Sequence, residues 1–416
     1  MGTIMEPARR TPVVAETDLL VCGGGFAGVA AAVCAARMGV RVMLLEKYGF
    51  LGGLVTGGLV ITTPPLNNGI NLEIARRLKD RGVYIPCRDS GEEVEWLQMH
   101  AIDPEFVKYE FIHMLQRSGV EFRFHTYVVD VILEGERIKG VITESKAGRQ
   151  AILSRFIVDA TGDADIAFFA GIPHRLVKKP MTMMFNMAGV DTKRVLAHLG
   201  NWGKLRRVVQ EALDRGEISF DLGMNMDFGA PGVHAENLVY DGEINVWSGN
   251  LKGLDGTNPI DLTRAEVTTR EHAMRLASFL AARVPGFEKA RIECTSTQVG
   301  VRATRQIEGL LTPSAKDVQN KNHKDTVAKP YADQEMRIPF GALIPQRVNN
   351  LLVAGRCLSA EDEILGQLRL IPVCSATGQA TGVAAALALQ QHTAPMDLDL
   401  ANLQKALESQ TMDLGL

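Results

Sequence analysis

The sequence predicts an α/β protein of two lobes: a Rossmann-type dinucleotide-binding domain drawn from both ends of the chain, and a second, α+β lobe between them. Three observations carry that expectation. A strand, a glycine-rich turn and a helix follow one another from Asp18. Strand and helix character returns near the far end, around Leu352 and Gly378. The 416 residues exceed the roughly 250 to 300 at which a single hydrophobic core stops growing. With 46% hydrophobic and 22% charged residues, the chain has ample material for a core and is not mainly disordered.

Residues 1–16, with two prolines and no periodicity, read as a flexible tail. Asp18 to Cys22 is a short apolar strand, Ala27 to Met38 an alanine-rich helix and Val40 to Leu45 a second strand, together a βαβ unit. A glycine-rich loop from Gly49 to Gly58 follows. Residues 71–82 and 103–118 have helical spacing, the latter with Asp103 as N-cap, Pro104 at the first helical position and Gly119 as the stop. Val120 to Val141 alternates as a meander about the turn Glu134-Gly135-Glu136, and Ser154 to Ala160 is a buried strand. The first domain is thus expected over 17–172.

The second lobe is expected over 173–338, with strands at 181–190 and 243–250 and a long helix over 261–283 opened by Asp261 or Thr263. Lys316 to Gln334 is polar and lysine-rich, which reads as a surface loop or lid. Residues 339–392 return to the first domain with the strand Asn350 to Ala354 and a helix from Thr377 to Leu389. A C-terminal helix or tail, 393–416, ends the chain.

A net charge of −3 gives no electrostatic case for nucleic acid, and no polybasic run favours an anionic membrane. The six cysteines form neither a CxxC pair nor a Cys/His cluster, so no metal site is expected and free thiols in the cytoplasm are. Arg9-Arg10 ahead of the apolar run 19–33 imitates an export signal, but glycines split the run and a strand-turn-helix explains it better. No stretch of about 18 uninterrupted apolar residues predicts a membrane span.

Gly23-x-Gly25-x-x-Gly28 sits after a strand and opens a helix, where a dinucleotide needs it. Gly23 permits the tight turn, Gly25 admits the pyrophosphate to the backbone, and Gly28 allows close helix-to-strand packing. The positive helix end then faces the phosphates. Glu46 closes the second strand, about 20 residues on, where a carboxylate accepts the adenosine ribose hydroxyls. Glycine runs also make ordinary turns; strand, helix and Glu46 in register favour the binding reading.

Three features favour FAD over NAD. Gly52-Gly53 directly after Glu46 exposes backbone for a ligand extending past the pyrophosphate. Ala160-Thr161-Gly162-Asp163 ends a late strand of the same domain. Leu352 to Arg356 and Thr377 to Gly382 bring a strand and a helix start to the same cofactor. The segments Cys22 to Gly53, Ala160 to Asp165, Pro285 to Gly309 and Ile338 to Ala386 resemble the FAD-dependent oxidoreductases of the glutathione-reductase-like superfamily, which are related to succinate dehydrogenase and fumarate reductase flavoproteins. The resemblance runs over nearly the whole chain from residue 18. It implies that Gly23, Gly25, Gly28, Glu46, Lys47, Gly52 and Gly53 hold FAD, with Phe26, Ala27 and Ala160 beside them. It gives Val128 as a backbone partner of the adenine, and Gly162, Asp163, Gly355 and Gly378 as completing the site. Arg356 stands where such proteins often carry aspartate, and its role stays open.

The resemblance implies two-electron oxidation or reduction of a small polar organic molecule at the junction of the lobes, by exchange with an unidentified electron donor or acceptor. Arg302, Arg305 and Arg369 are candidates to clamp a carboxylate or phosphate; ion pairing with Glu308, Glu361 or Asp362 is the plainer account. His323, in the polar segment, is the candidate proton carrier, against an ordinary surface histidine; His100 and His234 have weaker claims. Tyr331 and Glu363 flank the expected site. Met181, Met183, Met184 and Met187 fit core filling better than a substrate pocket. A nicotinamide-dependent dehydrogenase and a non-catalytic flavoprotein are the alternatives, and a homo-oligomer is left open.

Overall fold

In the computed structural model, residues 2–91, 98–219, 222–223, 232–321 and 323–416 are described. A sheet in the order Glu121–Arg123, Val42–Leu45, Val13–Cys22, Gly148–Asp159 forms the centre of the first lobe. These four strands run parallel, with Leu19 beside Val42, Cys22 beside Leu45 and also beside Asp159. Leu351–Val353 adds in parallel to the end of Gly148–Asp159, placing Val353 beside Asp159. The other half of that edge pairs with Arg137–Ser145, which turns antiparallel into Tyr127–Glu134.

Burial on both faces explains the unbroken apolar run of the first strand. Leu19 and Val21 enter the main core; Leu20 and Cys22 enter a second cluster under the meander. Over the first face lie the helices Phe26–Arg37 and Ile371–Gln391. A Cβ on Gly378 would come within 2.1 Å of the Ala27 carbonyl oxygen, and one on Gly382 within 2.2 Å of that of Ala31. The two helices touch backbone to backbone because one carries glycine wherever the other presents these carbonyls.

The second lobe is a sheet in the order Val233–Asn237, Ile244–Ser248, Met184–Ala188, Arg291–Thr295. Alternation sends Phe185, Met187, Ile244 and Val246 to one face, where Ala273, Leu276 and Leu280 of the helix Pro259–Arg283 cover them. Met184, Asn186, Asn245 and Trp247 therefore occupy the opposite face.

Several elements differ from the sequence reading. Val13 to Glu16 is not tail but strand, paired with residues 151–153; backbone pairing supplies the order and leaves no hydrophobic periodicity to read. The long helix opens at Pro259 with Asn258 as its cap, not at Asp261 or Thr263. The C-terminal helix begins at Ile371 rather than Thr377, because Pro372 falls in the first turn, where no backbone donor is needed. The polar stretch after Lys316 is no lid. It holds the helix Ala315–Gln319 and the strand Thr326–Ala328, and it buries Val318, Val327, Ala328 and Tyr331 in the main core; Asn322 lies outside the described residues. Its runs are too short for a period to show. Asp103 does cap its helix, accepting from the Glu105 amide.

Among the described residues one helix, Ile371–Gln391, is long and apolar enough to cross a membrane, but 89% of its apolar window is buried inside the protein.

Candidate functional site

Parallel strands that end together deliver their following loops to one edge. Cys22, Leu45, Asp159 and Val353 stand at that edge, so the loops starting at Gly23, Glu46, Ala160 and Ala354 converge there. They line a cleft of about 550 Å³ whose other wall is the second lobe.

The first turn is built as the glycine spacing requires. Gly23 has φ +107°, and a Cβ on it would lie 2.3 Å from the Ala160 carbonyl oxygen. A Cβ on Gly28 would fall 1.8 Å from the Gly23 carbonyl oxygen, so Gly28 closes the turn against its own first residue. Gly25 is different: an added Cβ would meet only the Gly53 Cα, at 3.7 Å. The protein's own packing therefore does not require glycine at this position. Gly53, at φ +58°, faces it from the next loop, and side chains on the two would fill the cradle.

Glu46 is buried, and its two oxygens accept from the amides of Gly24 at 2.7 Å and Tyr48 at 2.9 Å. Burial raises its carboxyl above the ordinary range, while those two amides act against the rise. Beneath the loops, burial pushes the Asp159 carboxyl up to about 6, although it accepts from the Thr161 amide and hydroxyl and from the Ala167 amide. Asp159 thereby ties the end of its strand to the Thr161-Gly162-Asp163 turn.

The cleft is lined by Gly23, Gly25, Phe26 and Ala27 from the first turn and by Glu46, Lys47, Gly52 and Gly53 from the second loop. Ala160, Gly162 and Asp163, then Gly355 and Arg356, complete the domain's contribution. Arg302 and Arg369 line it as well. The buried Arg302 donates from one nitrogen to the Pro180 carbonyl and the Thr182 hydroxyl, both at 2.8 Å. Arg356 bridges the lobes, pairing with Asp163 at 3.1 Å and donating to the Val301 carbonyl at 2.7 Å, with its guanidinium against Gly162. Arg305 pairs with Asp165 at 2.9 Å. Two ion pairs thus cross the junction, Arg305 with Asp165 and Arg175 with Asp362, whereas the Arg356–Asp163 pair lies within the first lobe and reaches the second through the Val301 carbonyl.

Four candidates lie elsewhere. Gly28 packs inside the turn. Gly378 sits on the third turn of its helix, against the Ala27 backbone, and is not among the lining residues. Val128 is half-buried on the meander, paired with Thr143, and is not among the lining residues. His323 is not among them either: it lies in a turn beyond the helix Ala315–Gln319, paired with Asp325, because the segment that carries it is packed into the first lobe and is no lid. Tyr331 is core, and Glu363 lines the cleft. Met181, Met183 and Met187 are buried, whereas Met184 lines the cleft beside Trp247. Trp247, Tyr48 and Gln298 escaped the sequence reading. Tyr48 donates to Gln298 across the lobes, a pairing 250 positions apart that no local pattern encodes. Trp247 had only strand alternation with Met184 to signal it.

A parallel sheet that aims four loops at a glycine-walled crevice defines a dinucleotide-binding α/β protein. The family model for FAD dependent oxidoreductases matches residues 18–333 and 329–407, and the chain belongs to that family. Membership in that family gives FAD as its cofactor. Among curated proteins it is similar to a thiamine thiazole synthase of Methanococcus aeolicus, 30% identical over 165 residues that make up 36% of this chain and 57% of that protein. It is also similar to digeranylgeranylglycerophospholipid reductase 2 of Methanopyrus kandleri, 28% identical over 211 residues, 44% of this chain and 48% of that protein. The chain thus spans about half the length of the curated relatives it matches. A solved geranylgeranyl bacteriochlorophyll reductase-like protein of Thermoplasma acidophilum matches with TM-score 0.55 at 15% identity, over 96% of this chain and 84% of that one. The myxobacterial chondrochloren halogenase, an FAD-dependent halogenase, matches with TM-score 0.51 at 15% identity, over 95% and 79%. At such identities the likeness speaks for the fold alone.

Proposed function

We propose that this protein carries out a two-electron oxidation or reduction of a small organic molecule held between the lobes, with FAD in the glycine-walled end of the cleft. One observation carries the reading: a single cleft has Gly25, Glu46 and Gly53 in one wall and Thr182, Trp247 and Arg302 of the second lobe in the other. Bound FAD supplies the redox chemistry.

The protein's own groups bind and orient. Amides at the start of the helix Phe26–Arg37 would meet the pyrophosphate, and Glu46 would take the ribose hydroxyls. Gly25 and Gly53 keep the approach open. Arg302, anchored through Pro180 and Thr182, and Arg369 bring cationic groups to the cleft and would orient a polar group on the substrate. Arg356, paired with Asp163, would hold the junction in register. The antiparallel meander and the returning strand Leu351–Val353 support a glutathione-reductase-like subtype. Six free thiols support a cytoplasmic location.

The test is to incubate purified protein with FAD, desalt it, and record the visible flavin bands. Those bands should remain, and anaerobic exposure to hydroxy acids, sugars, amines and enoates should bleach or restore them for one class. Protein that keeps no flavin overturns the reading.

A further inference from the structure

Two side chains on the far wall of the cleft belong to neither lobe's core. Met184 and Trp247, directly opposite each other on neighbouring strands, form a small separate cluster with Leu59, and Val60 packs against it. Met184, Trp247 and Val60 line the cleft, as do Met99 and Leu370. This stretch of wall offers hydrocarbon, thioethers and an indole.

The direction of the neighbouring polar groups decides what such a wall can bind. The indole N–H is Trp247's one donor, and it is given to Asn245 Oδ1 at 3.1 Å. Asn245 passes its own amide to Asn186 Oδ1 at 2.9 Å and to the Leu59 carbonyl at 3.4 Å. On the next strand, His234 faces Trp247 across the sheet with ring centres 5.1 Å apart, but pairs with Glu236 at 2.6 Å. Glu236 accepts in addition from the Ser90 hydroxyl, and neither His234 nor Glu236 lines the cleft. The indole is therefore pinned by its polar edge and turns carbon surface to the interior.

We propose that this compartment binds the body of the substrate, and that the body is an uncharged, unsaturated hydrocarbon, laid against the Trp247 indole and the Met184 sulfur. Asn245 is the positioning residue that fixes the indole. The proposal rests on the oxidoreductase reading and assigns a substrate class to the same cleft. A flat, polarisable ligand gains both buried area and stacking on such a surface, whereas hydroxyl groups laid against these apolar side chains would lose hydration, which leaves any polar end of the substrate to Arg302 and Arg369.

The FAD-loaded protein is titrated with 2-naphthol, geraniol, L-malate and D-glucose, and the visible flavin spectrum is followed. Saturable perturbation by 2-naphthol or geraniol, far tighter than by malate or glucose, is expected; which of the two binds better separates an aromatic body from an isoprenoid one. Trp247→Ala should weaken that binding about tenfold or more at unchanged flavin content, and Trp247→Phe should restore most of it. Met184→Gln, which keeps the volume but adds an amide, should weaken it as well, and serves if Trp247→Ala does not fold. Binding of malate or glucose alone, binding of none of the four, or hydrocarbon binding that both the Trp247→Ala and Met184→Gln variants leave unchanged overturns the proposal. Protein that takes up no FAD overturns the oxidoreductase reading beneath it instead.

Discussion

The Glu46 carboxylate receives the amide of Gly24 at 2.7 Å, so the acidic end of the second strand is tied directly to the turn that closes the first. The turn and the proposed ribose-binding group are one unit. Glu46→Gln should therefore weaken FAD binding by about 10- to 100-fold, the value of a hydrogen bond to a charged group, with little loss of secondary structure. Because burial raises the carboxyl, the affinity of the wild type should fall as the pH drops through a value above the ordinary glutamate range, and the variant should lack that dependence. Flavin fluorescence titration across pH checks both.

Gly25 and Gly28 separate binding from folding. An alanine at 28 would drive its Cβ to 1.8 Å from a backbone oxygen, whereas one at 25 meets nothing closer than 3.7 Å. Gly28→Ala is expected to cost about 1–3 kcal/mol or more of stability. Gly25→Ala should leave the melting temperature of the FAD-free protein almost unchanged yet abolish tight flavin binding. Calorimetry with and without FAD distinguishes them; equal melting losses would contradict the assignment.

Gly378→Ala should destabilise the protein by about 1–3 kcal/mol by prising the helix Ile371–Gln391 from Phe26–Arg37, since its Cβ would approach the Ala27 oxygen to 2.1 Å. Any loss of flavin should follow the loss of stability and disappear at low temperature. A flavin defect in fully folded variant would instead mean direct contact.

Asp159 makes a prediction about pH. Its folded pKa, about 6, lies above the unfolded value near 3.8, so the native state holds the extra proton in that window. Stability from this group is full below the unfolded value and is lost as the pH rises towards 6. The stability difference between wild type and Asp159→Asn should shift against the wild type by up to about 3 kcal/mol between pH 4 and pH 7. Urea unfolding at several pH values measures it, and a flat difference would refute the raised carboxyl.

His323→Ala should leave flavin content and turnover unchanged, because the imidazole pairs with Asp325 and lies outside the cleft lining. A loss of turnover with intact flavin would return His323 to the reaction.

The parts legible in the sequence are those whose constraint is local. Gly23, Gly25 and Gly28 could be assigned because a turn between strand and helix leaves so few residues able to fill it, and Asp103 because capping acts within three residues. Val13 to Glu16 is not legible because its order comes from partners more than a hundred residues away, and the stretch after Lys316 because its strand spans three residues and pairs, among the described residues, only with Ile338–Pro339. The helix from Ile371 was read short because a proline near its start looks like a break until its turn is known.

By itself the sequence determined the βαβ unit, its glycine turn, Glu46 as its acidic partner and the return of the chain's far end, since periodicity and backbone sterics act over neighbouring residues. Only the tertiary structure decided that Gly378 packs a helix and Arg356 joins the lobes, that His323 stands apart, and that Trp247 faces the cleft with its N–H turned inward. Those outcomes depend on which side chains distant segments bring within a few ångströms, and spacing along one chain does not specify that.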